Sequence, residues 1–262
     1  MFPFWKCVLK PLIEAADARR LLEIGALRGE TTQLLLDALG PDAQLHVIDP
    51  RPQFDPEDHG RRFGGRYVFH RDLSHRVLPD LEPMDVALID GDHNWYTVHG
   101  ELEMLRASAR AQNEPLPLLI LHDVGWPYGR RDLYYGPEGI PPEFRHPHAQ
   151  RGMRPGHREL VPTGGVNPLL DNATVEGGPR NGVKTALEDF LAAHDRPTRR
   201  LILPVYFGLA IVADEDRLAR SPKLSDALDR LESAETRMEL LELAESLRLR
   251  LGRFRVLCLV GD

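Results

Sequence analysis

Carboxylates and histidines stand together at two points of the chain, each directly after a short apolar run. They are Asp90, Asp92, His93, His122 and Asp123. Short apolar runs bounded by polar residues are typical of parallel strands that are covered on both faces. The carboxyl ends of such strands meet at one edge of the sheet, where α/β proteins bind their ligands. We therefore expect these five side chains to converge.

Two or three carboxylates at one sheet edge repel each other and are costly to leave unpaired. A divalent cation is one solution, because hard ions such as Mg²⁺ take carboxylate oxygens. His93 is the natural general base there, since an unperturbed imidazole has a pKa of about 6.5. The alternative is that the acids cap helices and hydrogen-bond to a cofactor.

Strand-like and helix-like segments alternate from residue 20 to residue 123, and this alternation predicts a parallel α/β sheet. The predicted strands are residues 21–24, 44–48, 67–70, 86–89 and 116–121. A pair of strands over residues 201–203 and 207–212 is expected to close the sheet. Residues 51–66 are polar and rich in glycine and proline, and we expect them to be irregular.

A strand, a glycine turn and a helix open this sheet over residues 21–36, LLEIGALRGETTQLLL. Gly25 and Gly29 let the backbone approach a ligand closely, and the helix start offers free N–H groups. The dinucleotide fingerprint needs one more glycine. Glu23, directly before the turn, would repel a pyrophosphate and suits a cationic or hydroxyl-bearing ligand. Asp49 ends the next strand, where a carboxylate can accept hydrogen bonds from a ribose.

These residues resemble motif I and the second-strand acid of class I S-adenosylmethionine-dependent methyltransferases. The resemblance implies that Glu23, Gly25 and Gly29 surround the methionine part of the cofactor and that Asp49 holds the ribose. The predicted cofactor set also contains Ala26, Thr31, Asp72 and Asp90. Asp72 follows the third strand, where this family often has an acid beside the adenine, but it could equally cap the next helix.

The stretches IDGDHNWY and LILHD resemble the metal-dependent O-methyltransferases that act on sugars and natural products, such as the macrocin-type enzymes and methyltransferase family 24. This resemblance implies that Asp90 and Asp123 bind Mg²⁺ and that His93 is the catalytic base, with Asp90 beside it. His122 stands where that group often has a second acid, and it is the third predicted ligand.

The resemblance also implies the architecture, a Rossmann-like doubly wound sheet of seven mostly parallel strands with an antiparallel last strand. We predict a methyltransferase domain over residues 1–215. Within it, residues 124–182 hold eleven glycines, nine prolines and several aromatic residues, and we interpret them as a substrate lid or pocket wall. Residues 216–262 are predicted to be a helical extension that could support a homo-oligomer, and within them residues 254–260 could be an edge strand or part of that contact.

Composition limits the classes of function. The 262 residues carry a formal net charge of −7, which gives no electrostatic reason to expect nucleic-acid binding. Two cysteines provide neither a disulfide framework nor zinc-site spacing. The longest apolar stretch is too short to span a bilayer, and the first residues lack a secretory pattern, so we expect a cytoplasmic protein without membrane partners.

The functional hypothesis is S-adenosylmethionine-dependent O-methylation of a small molecule, a sugar or glycosylated natural product. Two alternatives remain open. One is a nicotinamide-type or nucleotide-sugar oxidoreductase on a similar fold, which the missing glycine disfavours. The other is a non-enzymatic binding protein that uses the C-terminal helix for its partners.

Overall fold

The computed structural model describes residues 1–259, with side-chain placement up to residue 249. The strands are β1 Arg20–Ile24, β2 Gln44–Ile48, β3 Tyr67–His70, β4 Val86–Ile89, β5 Leu118–His122, β6 Leu133–Tyr134, β7 His148–Gln150, β8 Asp171–Ala173, β9 Thr198–Leu203 and β10 Leu209–Asp214. The α-helices are α1 Lys10–Ala16, α2 Glu30–Ala38, α3 Pro56–Phe63, α4 Ser74–Val77, α5 Trp95–Ala111, α6 Val183–Ala192, α7 Glu215–Arg220, α8 Pro222–Leu231 and α9 Ala234–Leu259.

Seven strands form one sheet in the order β3-β2-β1-β4-β5-β10-β9. All neighbours run parallel except at β10, which is antiparallel to both β5 and β9. The strand order reverses between β1 and β4, and ligands of open α/β sheets bind at such a point. The predicted Rossmann-like sheet with an antiparallel last strand is confirmed.

Apolar clusters cover both faces of this sheet. One cluster joins the N-terminal residues, α2 and α8 to the sheet, and the other joins α5 and α6 to the opposite face. Every residue of β4 and β5 is buried. Their side chains are apolar on both faces for this reason, and a polar residue first occurs where each strand ends.

Residues 124–182 form a second, three-stranded sheet in the order β6-β8-β7. Its apolar cluster is small, and buried polar side chains hold it instead. Asn172 is fully buried and donates to three backbone carbonyls. Asp132 accepts from the backbone N–H groups of Trp95 and Gly182, at the starts of α5 and α6. The insertion is therefore anchored to α5, which follows β4, and to α6, which follows the insertion.

Two predictions of local structure, for residues 51–66 and for residues 254–260, differ from the observed fold. Residues 51–66, expected to be irregular, contain α3, because Asp55 accepts a hydrogen bond from the N–H of Glu57 and Pro56 starts the helix. The edge strand suggested for residues 254–260 is helical up to Leu259, and Val260 lies outside the described residues. Within residues 1–259, no helix is long and apolar enough to cross a membrane.

Candidate active site

The glycine turn, residues 25–29, joins β1 to α2. Gly25 has a φ of +84° and Gly29 a φ of +74°, in the left-handed region that favours glycine. A Cβ on Gly25 would overlap the carbonyl oxygen of Asp90 and lie 2.5 Å from Cα of Gly91. Sequence reasoning assigned this glycine to the approach of a ligand. The structure adds a second requirement, the close packing of the turn against the end of β4.

Asp49 fastens this turn to the end of β2. Its Oδ2 accepts hydrogen bonds from the N–H groups of Ala26 and Leu27 at 3.0 and 2.8 Å, and its Oδ1 accepts from the N–H of Arg51 at 2.7 Å. A carboxylate that receives three backbone N–H groups is held firmly and keeps lone pairs for further donors. The predicted ribose contact is compatible with this geometry.

Glu23 lies beneath the turn, with only 3% of its surface exposed. Its Oε2 accepts a hydrogen bond from the Thr32 hydroxyl at 2.6 Å. Burial raises the pKa of Glu23 to about 8. The hydroxyl that reaches this acid belongs to Thr32, one residue beyond Thr31, because the third residue of α2 faces the sheet.

Asp72 is partly exposed and lies two residues after β3. Its Oδ1 accepts from the N–H of Leu73 at 2.7 Å and from Arg76 at 3.2 Å. Both partners belong to the start of α4 and its flank, so the carboxylate stabilises this short helix. Its predicted contact with an adenine stays a prediction.

The acid–histidine cluster, which consists of Asp90, His93, His122 and Asp123, lies at the carboxyl ends of β4 and β5. His93 Nε2 is 3.0 Å from Asp123 Oδ2 and 3.8 Å from Asp90 Oδ1. Asp90, His93 and Asp123 each offer one potential metal-ligand atom, and these atoms lie within 4.8 Å of one another. The sheet thus brings together residues that are more than 30 positions apart in the chain.

Both ring nitrogens of His122 are engaged. Its Nδ1 lies 2.8 Å from Asp123 Oδ2 and 3.1 Å from Asp90 Oδ1, and its Nε2 lies 3.0 Å from the carbonyl oxygen of Tyr206. A carbonyl only accepts, and ionised carboxylates only accept, so both nitrogens donate. Burial by itself would favour the neutral ring, but the two carboxylates outweigh it and raise the pKa of His122 to about 9.

The same contacts shift the other members of the cluster. For His93, burial is outweighed by the charge of Asp123, 3.0 Å away, and by the nearby Asp90, so its pKa is well above the ordinary value. Burial would raise the pKa of Asp123, but the two histidines lower it to about 2. Asp90 likewise has a pKa well below its usual range, because the hydrogen bond from His122 and the nearby His93 outweigh its burial.

Asp92 does not join the cluster. Its Oδ1 accepts from the N–H of His93 at 2.9 Å, and its Oδ2 accepts from the Thr97 hydroxyl at 2.9 Å. Asn94 caps α5 through a hydrogen bond from the N–H of Thr97. Asp92 and Asn94 therefore stabilise the helix start that presents His93.

Three groups near the cluster were not singled out from the sequence. The Tyr135 hydroxyl, from the insertion, lies 3.3 Å from His93 Nδ1. The Tyr206 carbonyl comes from the turn between β9 and β10. The amino group of Met1 lies 2.7 Å from Asp90 Oδ2. The only sequence signal was the aromatic content of the insertion, because the other two contacts depend on how distant segments fold over the sheet edge.

No curated protein matches the sequence. The solved structures to which the chain is similar include the following three. These are SAH-bound Podospora anserina methyltransferase PaMTH1 (17% identity, covering 79% of this chain and 76% of that chain, TM-score 0.46), the Bacillus cereus O-methyltransferase in complex with SAH (16%, 79% and 78%, 0.43) and the O-methyltransferase TomG from Streptomyces achromogenes in complex with SAM (16%, 78% and 77%, 0.41).

A family model described as a methyltransferase domain matches residues 22–124. The match begins in β1, directly before Glu23, and ends directly after Asp123, so it spans the glycine turn and the whole acid–histidine cluster. Over residues 22–124 the chain is therefore similar to a methyltransferase domain, the class that the motifs of the sequence resemble.

Proposed function

We propose that the protein is an S-adenosylmethionine-dependent O-methyltransferase that methylates a hydroxyl of a small molecule, a sugar or glycosylated natural product. The glycine turn binds the cofactor, and the acid–histidine cluster prepares the acceptor. The single observation that carries this proposal is that the two groups are in direct contact, since the turn at Gly25 packs against the backbone of Asp90 and Gly91. A methyl donor and a base would therefore lie side by side.

The charges of this edge favour a cationic cofactor. Glu23, Asp49 and Asp90 stand at the ends of β1, β2 and β4. The charges of Asp49 and Asp90 attract the ammonium and sulfonium groups of S-adenosylmethionine and repel the pyrophosphate of a dinucleotide, and the carboxyl group of Glu23 suits the same cationic ligand. This electrostatic argument favours the methyltransferase over the oxidoreductase.

Methyl transfer needs no covalent intermediate with the protein, because the sulfonium methyl is already activated. The enzyme must align the acceptor oxygen, the methyl carbon and the sulfur, and must take up the hydroxyl proton. His93 is the proposed base. A positive sulfonium bound beside it would oppose the charge of Asp90 and Asp123 and so lower its pKa toward the neutral, proton-accepting form.

Mg²⁺ fits part of the cluster. Asp90 and Asp123 would supply carboxylate oxygens, and His93, which lies close to both, would stay free of the ion to act as the base. Bound there, the ion would lower the pKa of an acceptor hydroxyl. His122 would have to give up a hydrogen bond to act as a ligand, because neither of its nitrogens has a free lone pair when both donate.

The remaining parts of the proposal concern the surroundings of the site. The insertion would form the acceptor pocket, because Tyr135 reaches His93 from it. A cytoplasmic location, a small-molecule acceptor and assembly through the C-terminal helices stay predictions.

Titration calorimetry with S-adenosylmethionine tests the first step. We expect saturable binding, and its absence at millimolar cofactor would refute the proposal. Mass profiling of reactions with candidate glycosides and phenols then tests methyl transfer and identifies the acceptor. Extensive chelation tests the metal separately, because unchanged turnover after metal removal would exclude a catalytic Mg²⁺.

A further inference from the structure

Glu23 is a buried acid whose hydrogen-bonding partner is neutral. The hydroxyl of Thr32 donates to its Oε2 at 2.6 Å, and Thr32 itself is fully buried. No arginine, lysine or histidine among the described side chains forms an ion pair with Glu23. Burying an ionised carboxylate without a paired cation is costly, so such a group tends to hold its proton.

The groups that face Glu23 strengthen this tendency on balance. Asp49 from β2 and Asp90 from β4 are like charges that favour the protonated acid. The amino group of Met1 and the Thr32 hydroxyl act in the opposite direction. Tyr67 from β3 is also near enough for the charge of Glu23 to contribute, after burial, to the raised pKa of its phenol. Burial dominates all of these effects.

We propose that Glu23 is neutral in the free protein and ionises when the cationic cofactor binds, releasing one proton, and that Thr32 is the positioning residue that prepares it. This inference rests on the proposed function, because the cofactor supplies the cation. The O–H bond of the Glu23 carboxyl breaks, its proton goes to solvent, and the carboxylate then faces the ammonium of the methionine part. No redox change is involved.

Thr32 has a specific part in this exchange. Its hydroxyl donates to one carboxylate oxygen and leaves the other for the ligand. A hydrogen bond to an ionised group is stronger than one to a neutral group, so Thr32 favours the form that binds the cofactor. Because Thr32 is the third residue of α2, the start of that helix couples directly to the acid at the end of β1.

The consequence is that cofactor affinity depends on pH. At pH 7 the acid is mostly protonated, and each binding event must remove its proton. The affinity should rise by about tenfold per pH unit between pH 6 and 7. The cofactor's own α-amino group, whose ordinary pKa is about 8, stays charged over that interval, so the rise comes from the protein. Above about pH 8 the cofactor loses this charge, and the affinity should fall again.

Infrared difference spectroscopy tests the free protein without any ligand. We expect wild type at pH 7 to show the C=O band of a protonated carboxyl that Glu23→Gln lacks and that disappears as the pH rises through about 8. Glu101→Gln removes another buried acid, on α5, and should leave the Glu23 band unchanged. If the Glu23→Gln difference shows no protonated carboxyl at pH 7, the inference is overturned.

Calorimetry of S-adenosylmethionine binding in phosphate and in Tris, which differ in ionisation enthalpy, counts the protons released. We expect about one proton released per cofactor at pH 7 for wild type. At pH 9 Glu23 is already ionised and releases none, and the cofactor's own amino group, which is mostly neutral there, takes up a proton on binding instead. Glu23→Gln should release none, and Glu101→Gln should match wild type. 5′-Methylthioadenosine, which lacks the amino-acid part, should bind without proton release.

Thr32→Ser and Thr32→Val form a matched pair. Serine keeps the hydroxyl and should keep the wild-type affinity and pH midpoint. Valine should weaken binding at pH 7 by about tenfold or more and move the midpoint to higher pH. Wild-type binding without proton release would overturn the inference alone, whereas absence of any cofactor binding would overturn the proposed function and the cofactor step together.

Discussion

The glycine turn and the acid–histidine cluster are adjacent in space but are built in opposite ways. The hydrogen bonds of the turn stay within the β1–α2–β2 unit, since Asp49 holds the backbone of Ala26 and Leu27 and Glu23 is held by Thr32. They are mostly between a carboxylate and backbone N–H groups. The cluster joins β4, β5, the insertion and the β9–β10 turn, and its contacts are mostly between ionisable side chains.

The turn therefore depends mainly on shape, and the cluster depends mainly on charge. The turn depends on backbone conformation, so a change of volume should damage it most. The cluster depends on a balance between two acids and two histidines, so a change of charge should alter its chemistry without disturbing the fold. Substitutions can therefore test the two halves independently.

His93→Ala should have the largest effect, on turnover and not on the cofactor. Loss of a general base lowers kcat by about 10²- to 10⁴-fold. The affinity for S-adenosylmethionine, measured by calorimetry, should change little, because the turn is intact. His157→Ala, at an exposed histidine of the insertion, is the control. A variant that loses cofactor affinity but keeps its kcat would reverse the two assignments.

Gly25→Ala should be the most damaging change in the glycine turn. The new Cβ would overlap the backbone of Asp90 and Gly91, and the positive φ adds strain, at a combined cost of about 2–4 kcal/mol of unfolding free energy. Urea denaturation measures this cost. Gly40→Ala, where nothing lies within 4 Å, should cost far less. Equal stability of the two variants would contradict the close packing.

His122→Asp should change the cluster in charge rather than shape. A third carboxylate beside Asp90 and Asp123 replaces a donor that now satisfies both. We expect Mg²⁺ to bind at least about tenfold tighter than to the neutral control His122→Asn, as measured by calorimetry. Cofactor affinity should stay close to that of wild type. If the two variants bind Mg²⁺ equally, charge does not govern the site.

Glu101→Gln should have the smallest effect, on the pH dependence of stability. Glu101 is buried on α5 and accepts from the Ser74 hydroxyl at 2.6 Å, and burial raises its pKa to about 8. The folded form holds this proton above the pH at which the unfolded form loses it, so stability falls as pH rises toward 8. Wild type should lose roughly 1 kcal/mol between pH 7 and 9 from this group.

The variant should lack that loss, and urea denaturation at both pH values measures it. The control is Glu242→Gln, on the exposed surface of α9. An identical pH dependence in wild type and Glu101→Gln would show that Glu101 is not a protonated acid in the fold. Glu101, on α5, resembles Glu23 in being a buried acid with a pKa raised to about 8. Unlike Glu23, it is not expected to meet a cationic group of the cofactor that would ionise it.

The local half of the site could be predicted from the sequence almost completely. Gly25, Gly29 and Asp49 occupy the places that the strand–turn–helix pattern indicates, and the strand β2 has its predicted bounds. The cofactor contact of Thr31 stays a prediction, and only the fold shows that the next residue, Thr32, faces Glu23. Helix α3 was not predicted because its polar residues suggested an irregular segment, whereas the cap formed by Asp55 and Pro56 indicates a helix start.

The distant half could be predicted only in part. The acids at the ends of β4 and β5 were expected to converge, because parallel strands end at a common edge. The bonds of His122 to Tyr206 and of His93 to Tyr135 were not, because they depend on loops without periodicity. Asp92 was expected to join the cluster because it also follows β4. Its side chain instead accepts hydrogen bonds at the start of α5, which the sequence pattern does not show.

The sequence by itself determined the order of strands and helices, the residues at each strand end and the positions that only glycine can occupy, because these follow from local periodicity and backbone sterics. The tertiary structure decided which of these residues touch. It placed His122 as a double donor, gave Glu23 no ion pair with any described side chain and brought Tyr135 onto His93, because burial and charge are properties of the assembled sheet edge and of no single segment.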